Sequence, residues 1–191
     1  LILRIAQRVC GSACPVLDRL HVAAARMEEG ELLTEVTDIL MGEPVFSEYG
    51  MRVKHGSGWE TWRVSKSELG EIIDIEVTGG VVTLSGRVGS LTHRRLAEVL
   101  TWWTAGCELV ENRLRVVPPE MENDGELSDA VRIVLEKDPL VPSGQISVDV
   151  RHGEVTLNGY VASEEEHRLA VLDVWYVPGV REVVDRIQGP H

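Results

Sequence analysis

The sequence predicts an α+β fold: tandem α-β-β-α-β units, each a three-stranded sheet with two helices on one face. The main observation is a repeat. GGVVTLSGRV at residues 79–88 returns 73 residues later as HGEVTLNGYV at 152–161, and the match continues downstream without a gap. A second match, between LLTEVTDILMGEP at 32–44 and LSDAVRIVLEKDP at 127–139, extends the repeat upstream. Matches on both sides of one hairpin indicate a repeated fold.

The later copy shows each element in order. Apolar residues at helical spacing from Leu127 onward predict a first helix, which ends before Pro139 because the residue preceding a proline avoids the helical conformation. The alternating runs QISVDV and EVTLNGYV, joined by a His-Gly turn, predict a hairpin. Ser163 is a good cap for a second helix with acidic residues in its first turn. That helix ends at Gly179, and VREVVDRI predicts the closing strand.

The repeat divides the chain into a partial unit and two complete ones. Residues 1–22 are predicted to be the C-terminal half of a first unit. Residues 32–117 form a middle unit with an insertion at about 46–72, and residues 127–188 form a last unit. The segments 23–31 and 118–126 are predicted linkers. The strand in the half unit would have an open edge, which a missing segment, another unit or a second copy of the chain would cover.

Composition narrows the classes of function. The chain has 191 residues, a net charge of -12 and a pI of about 4.9, which disfavours nucleic-acid binding and attraction of the whole surface to anionic lipid. No apolar run is long enough to span a membrane. The chain begins at Leu1 rather than at Met, so we expect a fragment or a processed product, in which a missing signal peptide is uninformative.

No pattern of catalytic or cofactor-binding residues is present in the sequence. The three cysteines, Cys10, Cys14 and Cys107, are an odd number and imply no disulfide framework. The six histidines are scattered without the spacing of metal ligands, and no phosphate-binding loop, dinucleotide fingerprint or hydrolase motif occurs. We therefore expect no enzymatic activity, no metal and no cofactor.

The repeated hairpin follows the pattern V-x-x-G-x-V-x-L-x-G-x-V. Its positions are Val77, Gly80, Val82, Leu84, Gly86 and Val88 in one copy, and Val150, Gly153, Val155, Leu157, Gly159 and Val161 in the other. With the downstream helix and the Gly-Val pair at 179–180, this resembles the BON family, the bacterial osmotic-stress and nodulation domain. The resemblance covers nearly all of residues 30–188. The chain departs from the pattern at Cys107, where the family has valine.

The resemblance implies a non-catalytic binding module in the periplasm or cell envelope, although a cytoplasmic location stays open. It favours phospholipid-surface binding in osmotic or envelope stress protection. The alternative is a protein-interaction or assembly module, including a homo-oligomer formed through the incomplete first unit. A third hypothesis is potassium or small-ligand sensing, since the acidic surface permits cation binding.

The insertion contains the candidate contact residues. The basic stretch of this acidic chain is residues 49–66, YGMRVKHGSGWETWRVSK, in which tryptophans are interleaved with cations. The candidate contact residues in it are Tyr49, Arg52, Lys54, Trp59, Trp62, Arg63 and Lys66. Tryptophan favours the headgroup region of a bilayer, and cations pair with phosphates. The sequence therefore predicts a hairpin that docks on an anionic surface. The alternative is an extended hairpin that packs its tryptophans on its own or a neighbouring domain.

Two further sets of residues recur in both copies. Trp102 and Trp175 occupy the same helical position and are either anchors for a partner or covers for the rim of each sheet or for the contact between units. Four glycines are predicted to serve the fold. Gly80 and Gly153 lie in turns that need positive φ or lack of a side chain. Gly86 and Gly159 are interpreted as marking a bulge or the close approach of a helix.

Overall fold

The computed structural model describes residues 27–119 and 123–189. The predicted half unit at residues 1–22, with Cys10 and Cys14, lies outside these ranges. The described residues fall into two compact units, residues 27–119 and residues 123–189, which are called the middle unit and the last unit below. Both are mixed helix and strand, so the predicted α+β class is confirmed.

The middle unit begins with helix α1 (Glu29–Gly42), followed by a 3-10 turn at Pro44–Phe46. Four strands come next: β1 (Gly50–His55), β2 (Gly58–Arg63), β3 (Ile72–Thr78) and β4 (Val81–Val88). Helix α2 (Leu91–Trp103) and the short strands β5 (Leu109–Asn112) and β6 (Arg115–Val116) complete the unit.

The last unit contains helix α3 (Asp124–Lys137), a 3-10 turn (Ser143–Gln145), strands β7 (Ile146–Arg151) and β8 (Glu154–Tyr160), helix α4 (Glu164–Tyr176) and strand β9 (Glu182–Gln188). Its strands are ordered β7-β8-β9, with β7 antiparallel and β9 parallel to β8. The element order is the predicted one. Apolar residues of the strands and both helices are fully buried at its centre, among them Val131, Val155, Leu157, Ala170 and Val174.

The sheet of the middle unit is larger than predicted. Its strands are ordered β2-β1-β3-β4-β5, and β6 also pairs with β4, so the prediction of a three-stranded sheet is wrong for this unit. The insertion causes the difference, because it forms an antiparallel hairpin whose strand β1 pairs in parallel with β3. Met51 and Val53 of β1 are fully buried beside α1 and β3, so the inserted strand is part of the core.

Both first helices begin earlier than predicted. Helix α1 starts at Glu29 and α3 at Asp124, inside the segments 23–31 and 118–126 that were predicted to be linkers. At α3 the reason is local: the side chain of Asn123 accepts a hydrogen bond from the backbone N–H of Glu126 at 3.0 Å, which caps the helix. No helix among the described residues is both long and apolar enough to cross a membrane.

Candidate functional site

The insertion hairpin positions most of the candidate contact residues. Its tip turns at Gly56, where φ is 57°, and its register places Lys54 opposite Trp59. The pairing shifts near the base, which leaves Trp62 as an extra, bulged residue between Thr61 and Arg63. Within the described residues β2 pairs with β1 alone and forms one edge of the sheet.

Two of the predicted lipid-binding cations are already paired with carboxylates. Arg52 donates to both carboxylate oxygens of Asp74, with Nε–Oδ1 2.7 Å and Nη2–Oδ2 2.6 Å. Lys54 Nζ lies 2.5 Å from Glu76 Oε1. The hydrogen bonds to Asp74 raise the pKa of Arg52 above its ordinary value. These two charges are therefore compensated within the sheet, and they are less available to phosphate groups.

Trp59 is the exposed centre of this face. Its side chain is 45% exposed, and the Arg52 guanidinium carbon and Lys54 Nζ lie 5.5 and 6.0 Å from its ring centroid. Side chains alternate between the two faces of a strand, so Arg52 and Lys54 lie on the face opposite Met51 and Val53. Cation–π attraction holds the indole in place. The result is a fixed aromatic surface on the face away from α1.

Arg63 and Tyr49 do not belong to this surface, contrary to the sequence prediction. Arg63 donates to the backbone carbonyl groups of Tyr49 at 2.7 Å, Met41 at 3.2 Å and Phe46, and burial lowers its pKa. Tyr49 is 4% exposed. Its hydroxyl lies 2.6 Å from His93 Nδ1 and accepts from the Gly89 N–H at 2.8 Å, and burial raises the pKa of Tyr49 to about 12. Both residues stabilise the fold.

The remaining candidates are dispersed. Lys66 is exposed, beyond the end of β2, and Trp62 is half-buried in the bulge. Trp102 on α2 is 8% exposed, so little of its side chain is accessible, which does not fit the interpretation of Trp102 as a partner anchor. Trp175 on α4 is half-buried. The structure thus groups Arg52, Lys54 and Trp59 and leaves the others apart.

The four repeated glycines have positive φ. Gly80 and Gly153, both with φ of 80°, lie in the hairpin turns. Gly86 and Gly159 lie within β4 and β8, with φ of 113° and 153°. A Cβ atom there would be 2.2 Å from the carbonyl oxygen of Ile72 and 2.0 Å from that of Gln145, respectively. The close neighbour is therefore the adjacent chain segment, and the interpretation of a bulge or a helix approach is wrong for both.

Sequence reasoning missed one buried titratable group. Asp173 on α4 is 3% exposed, and its Oδ2 has no hydrogen-bond partner among the described residues. Burial, and then the negative charge and hydrogen bond of Asp138, raise the pKa of Asp173 to about 8. A lone aspartate in a helix gives no sequence signal for this, because Asp138 lies at the end of a different helix.

Cys107, the cysteine within the described residues, is a weak nucleophile. Burial raises the pKa of Cys107 to about 11, so its thiolate is scarce at neutral pH, and the thiolate is the nucleophilic form. Among residues 27–119 and 123–189, no three His, Cys, Asp or Glu side chains are grouped so as to hold a metal ion.

Comparison with solved structures finds weak likenesses. One is the C-terminal domain of CdsD, the structural protein of the type III secretion system of Chlamydia trachomatis, at 16% identity and a TM-score of 0.30, covering 84% of this chain and 66% of that one. A second CdsD structure has 15% identity and a TM-score of 0.30, covering 86% and 66%. The chain thus spans a little less than two thirds of these proteins. No curated protein matches the sequence.

A family model gives the decisive match. The BON domain model matches residues 67–118 and 123–189, which together make up more than half of the chain. The first match takes in β3 to β6 with α2, and the second takes in the whole last unit, while β1 and β2 lie outside both. The chain therefore belongs to the BON domain family, as two domains in tandem, and this membership indicates a non-catalytic binding module associated with the cell envelope.

Proposed function

We propose that the chain is a protein-binding assembly module of the cell envelope, and that it binds through the outer face and edge of the β1–β2 hairpin. The observation that carries the proposal is the exposed Trp59, held over Arg52 and Lys54 on an edge strand. Tryptophan and arginine are enriched among the residues that dominate protein interfaces. A side chain held in place before binding loses little entropy on binding.

The edge of β2 adds a second element of recognition. Residues 58–61 are all exposed, and an edge strand presents backbone N–H and C=O groups to which an extended partner segment can pair. The bulge at Trp62 ends the regular part of this edge. A partner would therefore pair with the tip half of β2 and cover Trp59 with its side chains.

Phospholipid binding is the weaker candidate for the same hairpin. Of the four cations between Tyr49 and Lys66, Arg52 and Lys54 are paired with carboxylates and Arg63 is bound to backbone carbonyl groups. Lys66 is exposed. The net charge of -12 opposes attraction to an anionic bilayer. The geometry thus favours a protein surface over a lipid one.

Photo-crosslinking tests this proposal. Benzoylphenylalanine replaces Thr61, which is exposed on β2, and in a control chain it replaces Asp38, which is exposed on α1. In cells of the organism that encodes the chain, we expect a protein adduct from position 61, none from position 38, and loss of the adduct when Trp59→Ala is added. A lipid adduct at position 61, or no adduct there, would overturn the proposal.

A further inference from the structure

The last unit has a groove along its outer strand. The groove lies between α3 and β7 and has a volume of about 280 Å³. Apolar side chains of Leu135, Ile146 and Val148 contribute to its lining, with Arg132 and Ser147 among its polar residues. Within residues 123–189, β7 pairs with β8 alone. The groove therefore borders a sheet edge with free backbone groups.

The corresponding edge of the middle unit is occupied. By the repeat, Ile73 and Ile75 of β3 match Ile146 and Val148 of β7. In the middle unit, β1 pairs in parallel with β3, with Met51 beside Ile73 and Val53 beside Ile75. There Ile75 is fully buried, whereas Val148 is only half-buried. The middle unit thus shows which kind of segment fits this edge: a parallel strand with apolar residues at alternate positions.

An acidic residue beside the apolar positions also recurs in both units. Lys54, which directly follows Val53, pairs with Glu76 at 2.5 Å, and Asp149 holds the place of Glu76 in the last unit. Asp149 Oδ2 lies 3.1 Å from Arg151 Nε, and the side chain of Asp149 is 59% exposed and that of Arg151 81% exposed. Such an exposed pair contributes little free energy, so it yields readily to a competing cation. Asp149 is therefore available to a basic residue of a bound segment.

We propose that the groove between α3 and β7 binds an extended segment of a partner protein as an added parallel strand. The segment has two apolar residues at alternate positions, which pack on Leu135, Ile146 and Val148, and a basic residue directly after the second, which pairs with Asp149. A cavity of about 150 Å³ already admits a benzene-sized group, so the groove has room for an apolar side chain. Backbone pairing provides affinity, and the alternating side chains provide specificity.

This groove is a separate surface from the β1–β2 hairpin. The segment that binds in the groove is defined by the apolar residues and the carboxylate beside β7, whereas the proposed function depends on Trp59. The two proposals can therefore fail independently.

A peptide from the chain itself is the probe. The peptide YGMRVKHG, residues 49–56, carries the β1 sequence and is added to the full isotope-labelled chain. We expect amide chemical shift changes confined to residues 132–136 and 143–149. A control peptide of equal charge has serine at the positions of Met51 and Val53, and we expect its affinity to be at least tenfold lower. No change at β7 in large peptide excess, or equal binding of the control peptide, would overturn the proposal.

A variant of the groove gives a second measurement. Val148→Trp places a large side chain at a half-buried strand position that lines the groove, and tryptophan is well tolerated in strands. We expect it to abolish the peptide-induced shifts. Arg186→Trp adds a tryptophan on β9, the opposite edge of the sheet, and should leave binding intact. If Val148→Trp retains the native spectrum and still binds the peptide with unchanged affinity, the groove is not the binding site.

Discussion

Arg63 ties together three backbone carbonyl groups, at the last turn of α1, in the following 3-10 turn and just before β1. Only a guanidinium can reach all three, because its donors are arranged in a planar fork, whereas a lysine ammonium is a compact point charge. The charge of Arg63 thus serves the local fold of the middle unit.

Replacing Arg63 tests this role while keeping the charge. We expect Arg63→Lys to lower the free energy of unfolding of the middle unit by about 2 kcal/mol, because buried acceptors lose their donors. Lys66→Met removes a charge from an exposed side chain, and we expect a change within about 0.5 kcal/mol. Chemical denaturation measures both. An Arg63→Lys chain as stable as the parent would contradict the structural role.

Asp173 makes the stability of the last unit depend on pH. Its pKa in the folded chain, about 8, lies above its ordinary value of 3.8, so the folded state binds a proton that the unfolded state releases. The stabilisation from this proton is complete below about pH 4 and is lost as the pH rises through about 8. We expect the unfolding free energy to fall across this range with a slope of at most about 1.4 kcal/mol per pH unit.

Asp173→Asn isolates this contribution. The amide cannot ionise, so we expect the variant to be more stable than the parent at pH 8 and to lose the difference near pH 4. Asp129→Asn is the control, because its side chain is 63% exposed on α3. Denaturant titrations from pH 4 to pH 9 measure the three chains. A parallel pH dependence in the parent and in Asp173→Asn would exclude Asp173 as the cause.

Among the elements, β4 and β8 each depend on a glycine near the C-terminal end of the strand. The carbonyl oxygens of Ile72 and Gln145 occupy the space of a Cβ atom at Gly86 and Gly159. Gly79 has φ of 57° and open space around it, so it isolates the cost of the backbone conformation from that of the steric clash.

We expect Gly86→Ala and Gly159→Ala each to destabilise their unit by at least about 3 kcal/mol, since the strand pairing must shift to relieve the clash. For Gly79→Ala the expected loss is about 1 kcal/mol, the cost of positive φ alone. Thermal unfolding of the three variants measures the difference. Equal losses at Gly79 and Gly86 would show that the close carbonyl contact has no energetic effect.

The sequence predicts an element well when the contacts that define it join residues close together in the chain. The element order of the last unit was predicted because its strands are joined by a short turn and its helices carry caps and breakers in the sequence, although α3 begins at Asp124, inside the predicted linker. The pairing of β1 with β3 was not predicted. Arg52 and Lys54 find their carboxylate partners 22 residues further along the chain, and no local pattern reveals such a contact. The same cations beside Trp59 therefore looked like a free basic patch.

At the scale of the whole molecule, the arrangement of charge opposes lipid binding. The chain carries -12 overall, and two cations of its basic segment, Arg52 and Lys54, are paired with the acidic residues Asp74 and Glu76 of β3. The phosphate groups of a bilayer would have to compete with these carboxylates for each cation. At physiological ionic strength, salt also screens the attraction between the cations and the bilayer.

This arrangement predicts how the chain responds to vesicles. We expect the parent chain not to sediment with anionic vesicles at low or moderate salt. The double variant Asp74→Asn, Glu76→Gln frees Arg52 and Lys54 and reduces the negative charge beside them. We expect it to gain salt-sensitive binding, since each cation near an anionic surface contributes about 1 kcal/mol. Neutral vesicles are the control for both chains. Salt-sensitive sedimentation of the parent chain with anionic vesicles would instead favour the hairpin as a lipid-docking element, because the cations would then leave their carboxylates for phosphate.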